Sequence, residues 1–287
     1  SMKAASDELL AATGPTHEPY RVLLRDVRSR LRLTRRQMEA QVEGLPVPEG
    51  DAYLRREELM APLQMLDRSL RAVGLSDIAD GDLKNTLRRL NCFGITLLRL
   101  DIRQESTRHS EVLDAITRYL QLGSYNDWDE AARQAFLVDE LQARRPLIDA
   151  AFRDSEHCTP EVAEVLATCE VIAEQGSEGL GAYVISMATT PSDVMAVMLL
   201  QKIAGVREPM RVVPLFETLD DLDGAEQTMS ALLALPFYRE RVAAGQEVMI
   251  GYSDSAKDAG FLGAAWAQYR AQEKLTALFA ENAIPLT

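Results

Sequence analysis

The 287 residues carry 31 Lys and Arg against 44 Asp and Glu, a formal net charge of −13. Phosphate neutralisation needs a basic surface, so this balance argues against generic nucleic-acid binding but not against small anionic ligands, which answer to a local field. With 47% apolar and 26% charged residues the chain is of globular type, long enough for one large domain or two modest ones, and it has neither a bilayer-length apolar run nor a signal-peptide core.

The opening Ser1-Met2 reads as residues added ahead of a native segment, so the sequence reads as an excised piece. From Glu18 to about Gly44, the apolar positions Tyr20, Leu23, Leu24, Val27, Leu31 and Leu33 recur at roughly helical spacing, with arginines on the other face. The arginine density invites a nucleic-acid reading, but interspersed acids favour a solvated helix face. After the turn-rich GLPVPEGD, a second helical pattern runs from about Tyr53 to Val73. A third runs from Ile78 to Cys92, with Asp82 as its N-cap.

Beyond Gly94 the character changes. ITLLRLDIRQ (Ile95 to Gln104) reads as a strand. So do GAYVISMA ending near Ala188, MRVVPLFET ending near Thr218 and QEVMIGYS ending near Ser253, while AIPLT opens a fifth at Thr287. Helical patterns fill the intervals: Ser110 to Leu122, Trp128 to Arg144, Pro160 to Glu174, Pro191 to Ala204, Asp221 to Leu235 and Asp258 to Glu281. Short apolar strands alternating with helices predict a parallel sheet covered by helices. The fold class is therefore α/β, part of a (β/α)8 TIM-like barrel with many additional helices. Residues 1–93 would form a mainly helical layer and 94–287 the partial barrel. A doubly wound open sheet is the alternative, but no glycine-rich turn follows the first strand. Cys92, Cys158 and Cys169 are odd in number and widely spaced, which points to buried reduced thiols of a cytoplasmic protein rather than to zinc or disulfides.

In a parallel barrel, functional groups gather where strands end and the next helices begin. Those ends supply Asp101, Arg103, Glu105, Arg108 and His109; then Ser186 and Asp193; then Glu217, Asp220 and Asp221; then Asp254, Lys257 and Asp258. Carboxylates on neighbouring strand ends suit a hard cation such as Mg²⁺ or Mn²⁺, and Glu217 with Asp254 is the natural pair. Arg103 and Lys257 are placed to hold an anionic substrate. Each also has a plainer reading. Glu217, Asp220 and Asp221 suit a helix N-terminus, Asp254 a turn, Lys257 a surface and Asp258 a first helical turn. Arg108 and His109 suit helix-start contacts, and His17 and His157 sit in polar loops. Residue types at strand ends lead to an anion-plus-metal enzyme and do not rank Lys257 above its neighbours.

VMIGYSDSAKDAG (Val248 to Gly260) closely resembles the lysine-bearing active-site signature of the phosphoenolpyruvate carboxylase family. FGITLLRLDIRQESTRHSE is similar to that family's first arginine segment. AYVISMATTPSDVMAV, VVPLFETLDDL and GAAWAQYRAQ match it in the same order, so the resemblance runs from about Tyr20 to the last residue. It implies addition of bicarbonate to phosphoenolpyruvate, giving oxaloacetate and phosphate with Mg²⁺ or Mn²⁺, in a cytoplasmic, allosteric homotetramer. By the same resemblance Glu217 and Asp254 are the metal ligands, and Arg103 grips the substrate phosphate with Arg108 as a second substrate-binding arginine. Lys257 is then the active-site lysine.

Family members are roughly three times this length. Their catalytic histidine in an A-H-P-T setting has no counterpart among His17, His109 and His157, and their glycine- and arginine-rich mobile loop follows the point where AIPLT stops. The aspartate inhibitor site lies beyond that loop. A central fragment with little or no carboxylase activity of its own is expected, with strand edges that favour self-association. The alternatives are a non-catalytic scaffold or anion-binding paralogue of the same fold and, more weakly, another metal-dependent enolate enzyme on a barrel.

Overall fold

The computed structural model describes residues 5–176 and 179–287. The chain divides into two compact units, Ser1–Leu98 and Arg99–Thr287.

The first unit is helical: α1 (Asp7–Thr13), α2 (Pro19–Val42), α3 (Arg56–Ala72), α4 (Ser76–Ile78) and α5 (Lys84–Phe93). Ser6 caps α1 by accepting the Leu9 N–H, and Pro19 opens α2 where no N–H is needed. One apolar stripe from each long helix meets in a core of Leu9, Val27, Tyr53, Leu59, Leu63, Leu66 and Leu90. The Thr34 hydroxyl accepts the Tyr53 N–H at 2.9 Å and donates to the Tyr53 carbonyl at 3.1 Å, while Arg30 lies 3.9 Å over the Tyr53 ring. Two other α2 arginines, Arg21 and Arg35, pair with Glu18 and Glu39 on the exposed face, as expected of a solvated stripe. Asp82 is not an N-cap. A π turn (Ala79–Leu83) follows α4, and the backbone leaves helical geometry inside it at Gly81 (φ −83°, ψ −129°), so the capping position falls one residue before Asp82, which is already helical. Asp80 instead pairs with Arg71 and Lys84.

The second unit alternates strands and helices: β1 (Leu100–Glu105), α6 (Ser106–Tyr119), α7 (Glu130–Gln142), α8 (Pro160–Gln175), β2 (Leu180–Ser186), α9 (Pro191–Ile203), β3 (Arg211–Phe216), α10 (Leu219–Leu233), α11 (Pro236–Arg241), β4 (Met249–Ile250) and α12 (Tyr252–Glu281). Among the described residues the strands form one parallel sheet in the order β1-β2-β3-β4, within a helix-dominated α/β fold. Successive strand residues point to opposite faces. Tyr183, Ile185, Val212 and Phe216 enter the main core with residues of α6, α8, α9 and α10. Ala182, Val184, Val213, Leu215 and Met249 form a smaller apolar cluster on the other face.

Several boundaries differ from the sequence reading. β1 begins at Leu100 rather than Ile95, because Leu97 takes φ 71° and breaks the extended run. Asp101 therefore lies near the start of β1. There its carboxylate accepts the Ala182 N–H at 2.9 Å and patches the register shift between Leu100 and Ile102. AIPLT forms only a parallel bridge, Gln246 with Leu286. The polar stretch after β4 is helix from Tyr252 onward, six residues before Asp258, with Gly251 as N-cap. The break falls at Gly260, where φ 71° and ψ 162° separate two helical segments.

His109 is a core residue rather than a helix-start contact: it is fully buried, with Nε2 2.9 Å from the Tyr183 hydroxyl. Burial, reinforced by the charge of Arg108, pushes its pKa down to about 3, so the imidazole is neutral. Of the cysteines only Cys169 is buried, its thiol pushed up to about 12 by desolvation; Cys158 is half-buried and Cys92 exposed. No helix among the described residues is long and apolar enough to cross a membrane.

Candidate functional site

The site lies where β3 and β4 hand over to α10 and α12. Phe216 ends β3 in the helix-side core, so the next residue, Glu217, turns to the opposite face. Thr218 caps α10 by accepting the Asp221 N–H at 3.1 Å. Asp221 returns the bond, accepting the Thr218 N–H at 3.0 Å and the Glu217 N–H at 3.4 Å. Asp221 is thereby a capping residue.

On the neighbouring strand, Gly251 donates its N–H to the Phe216 carbonyl at 3.0 Å. A Cβ at position 251 would stand 2.7 Å from Glu217 Cβ, so glycine is what lets the two turns approach. The Ser255 hydroxyl donates to the Gly251 carbonyl at 2.6 Å and accepts from Gln268 Nε2 at 2.6 Å, and both side chains are buried. This relay ties the first segment of α12 to the segment beyond Gly260. It leaves Asp254 and Lys257 on the exposed side of the first turns, with Lys257 Nζ 3.0 Å from Asp254 Oδ1.

The carboxylates feel one another. Burial raises the Glu217 pKa above the usual carboxylate range, and the charge of Asp254 adds to the rise. The Met187 amide hydrogen bond and the charge of Arg103 oppose it. The Asp254 pKa is lowered by its hydrogen bond to Lys257 and by that lysine's charge. Arg103, on β1, is in register with Val184, which pairs with Val213, so it shares the face of the small apolar cluster. Its Nη2 lies 3.3 Å from Met249 Sδ. Arg103, Glu217, Asp254 and Lys257 thus belong to one strand-end region.

Arg108 does not join them. It sits on α6, where its guanidinium bonds Glu164 at 3.0 Å and the Glu161 carbonyl at 3.2 Å. Asp193 caps α9 through the Thr189 and Thr190 amides at 2.9 Å each. Asp258 reaches away from its own helix and accepts the Leu219 N–H at 2.9 Å. His17 is exposed, and His157 packs edge-on against Tyr119.

Met187 escaped the sequence reading. It takes φ 56°, presents its amide to Glu217, and its carbonyl accepts the Ser106 hydroxyl at 2.7 Å. A methionine gives no signal of a left-handed backbone. Gly251, directly after an apolar run, was the legible hint of a close approach.

No group of three or more His, Cys, Asp or Glu able to hold a metal ion occurs among the described residues. Two oxygen-donor carboxylates on adjacent turns still match Mg²⁺, which commonly binds one or two carboxylates and fills its shell with water and substrate oxygens.

The fold is thus a helix-dominated α/β one, with a parallel sheet that carries paired carboxylates and cations near its strand ends. The phosphoenolpyruvate carboxylase family matches residues 2–287, and the chain belongs to that family. It is 96% identical over 287 residues to the phosphoenolpyruvate carboxylase of Alcanivorax borkumensis. It is 54% identical over 287 residues to that of Pseudomonas aeruginosa and 50% over 291 residues to that of Acinetobacter baumannii. Each match covers the whole chain but only 32%, 32% and 33% of the respective relative, so the chain spans about a third of their length.

Proposed function

We propose that this chain supplies the cation-binding and part of the phosphate-binding side of a phosphoenolpyruvate carboxylase active site. Support comes from one juxtaposition: Glu217 and Asp254 are electrostatically coupled across adjacent strand ends, with Arg103 on the same face and coupled to Glu217. Glu217 and Asp254 would hold Mg²⁺ or Mn²⁺. When bound, that ion supplies Lewis-acid stabilisation of charge developing on the substrate's enol oxygen. Arg103 grips the phosphate by a charge-assisted pair of N–H donors, and Lys257 adds a second positive charge.

In this chemistry a bicarbonate oxygen attacks phosphorus as the bond to the enol oxygen breaks. Carboxyphosphate then releases CO₂ and phosphate, and the enolate carbon bonds CO₂ to give oxaloacetate. The apolar side chains of Val184, Val213, Leu215 and Met249 line the same face. They would keep water from the enolate, so that carbon–carbon bond formation outruns protonation.

The parallel strands in sequential order, helix-covered on one face, are in our reading an arc of a (β/α)8 barrel. Residues 1–93 are a mainly helical part and 94–287 the arc itself, within a single cytoplasmic, allosterically regulated homotetrameric enzyme. Arg108, held by Glu164, is assigned to packing between α6 and α8 rather than to substrate.

The test is a coupled oxaloacetate assay with phosphoenolpyruvate, bicarbonate and Mg²⁺ on the full-length polypeptide that contains this segment. Asp254→Asn and Glu217→Gln should each lower turnover by on the order of 10²-fold or more. Near-normal turnover in either variant removes that residue from the site. The 287-residue chain alone is expected to show little or no turnover, and full activity would overturn the fragment reading.

A further inference from the structure

Two carboxylates on separate turns hold a cation only as firmly as the span between the turns is fixed. The sheet fixes it in part through the Gly251 N–H to Phe216 carbonyl bond and the missing Cβ of Gly251. A third tie lies outside the sheet. Asp258 sits one helical turn beyond Asp254, on the solvent-exposed first segment of α12, and crosses to accept the Leu219 N–H at 2.9 Å. Leu219 is the first residue of α10 and lies two positions beyond Glu217.

The first amides of a helix have no partner within it. At α10, Thr218 takes the Asp221 N–H, and Asp221 takes the amides of Glu217 and Thr218. The Leu219 amide goes to Asp258, a charge-assisted bond from the neighbouring turn. The backbone beside one carboxylate is therefore joined to the helical turn carrying the other.

We propose that Asp258 is a positioning residue that sets the spacing of Glu217 and Asp254 through its hydrogen bond to the Leu219 amide. The proposal rests on the reading of Glu217 and Asp254 as the cation ligands. Asp258 acts through the backbone and touches neither substrate nor cation.

Mn²⁺ affinity of the full-length polypeptide, read from the spectrum of the free aquo ion by electron paramagnetic resonance, separates the two ideas. Asp254→Ala is the ligand control. Asp258→Ala should weaken Mn²⁺ by about tenfold, the scale seen when an outer partner of a metal ligand is lost. Asp258→Asn retains an acceptor oxygen and should stay within about threefold of the parent, because Asn and Asp serve equally as caps.

Leu219→Pro deletes the donor instead. Proline is tolerated at the first helical position, and Thr218 at φ −91° and ψ 168° already has the extended backbone that precedes proline. Leu219→Pro should match Asp258→Ala, and the double variant should be no weaker than either single one. Parent-like Mn²⁺ affinity in Asp258→Ala and Leu219→Pro, with affinity lost in Asp254→Ala, would overturn the positioning role and leave the ligand reading standing. Equal weakening by Asp258→Asn and Asp258→Ala would overturn it too, since charge and not the hydrogen bond would then be responsible. Parent-like affinity in Asp254→Ala would overturn the ligand reading and this proposal with it. Should Asp258→Ala fail to fold, Asp258→Asn and Leu219→Pro decide the matter.

Discussion

On the helix-covered face of the sheet, His109 and Tyr183 meet at 2.9 Å, both fully buried. On the other face Arg103, Glu217, Asp254 and Lys257 stand at the strand ends with their charges coupled to one another. His109 is on α6 and Tyr183 on β2, whereas Arg103 is on β1, Glu217 follows β3, and Asp254 and Lys257 lie in the first turns of α12 after β4. Burial without a charged partner makes the first set neutral and structural. In the second set the Lys257 hydrogen bond and charge lower the Asp254 pKa, while burial and the charge of Asp254 raise that of Glu217. A titratable residue near a strand end is thus sorted by which face it takes, and one position along the strand reverses that face.

The sharpest way to break this contrast is to neutralise the exposed set. Glu217→Gln should cost the full-length polypeptide on the order of 10²-fold or more in turnover while leaving its thermal unfolding nearly unchanged. A large fall in unfolding temperature would move Glu217 to the structural side.

His109 offers the converse test, through acid. Its folded pKa of about 3 lies below the ordinary 6.5, so the unfolded chain binds the extra proton first and stability falls as pH drops from about 6.5 towards 3. At pH 4 that amounts to roughly 3 kcal/mol. His109→Gln can keep a bond to Tyr183 without the titration, and denaturant unfolding at pH 4 and pH 8 should show a correspondingly smaller acid loss. An unchanged acid loss would mean that His109 charges in place.

Between these extremes lies Gly251→Ala. Its new methyl would stand 2.7 Å from Glu217 Cβ. Displacing the Glu217 turn should cost about 1–3 kcal/mol, visible as a higher Mn²⁺ dissociation constant. The smallest effect belongs to Arg108→Gln, which removes an ion pair with the exposed carboxylate of Glu164 worth at most about 1 kcal/mol. The KM for phosphoenolpyruvate should not move. A rise of tenfold or more would return Arg108 to the substrate side.

The placement of the candidate carboxylates was legible because apolar runs ending in acids mark strand ends. Glu217 follows VVPLF and Asp254 follows VMIGYS, and both fall where parallel strands hand over to helices. The helix start at Tyr252 was not legible. GYSDS carries turn-forming residues, and the bond from Gln268 to Ser255, 13 residues apart, is a tie that local sequence does not display. The left-handed Met187 and the cross-helix reach of Asp258 depend on partners distant in sequence, which periodicity cannot reveal. The helix-side fate of His109 follows from α6 beginning at Ser106 instead of Ser110, which turns the ring toward Tyr183.

The most direct measurement is a crystal of the full-length polypeptide grown with Mn²⁺, with an anomalous difference map recorded at the manganese edge. The expectation is one peak within reach of both the Glu217 and the Asp254 carboxylates. A peak that touches neither carboxylate, in a crystal where Mn²⁺ supports turnover, would contradict it.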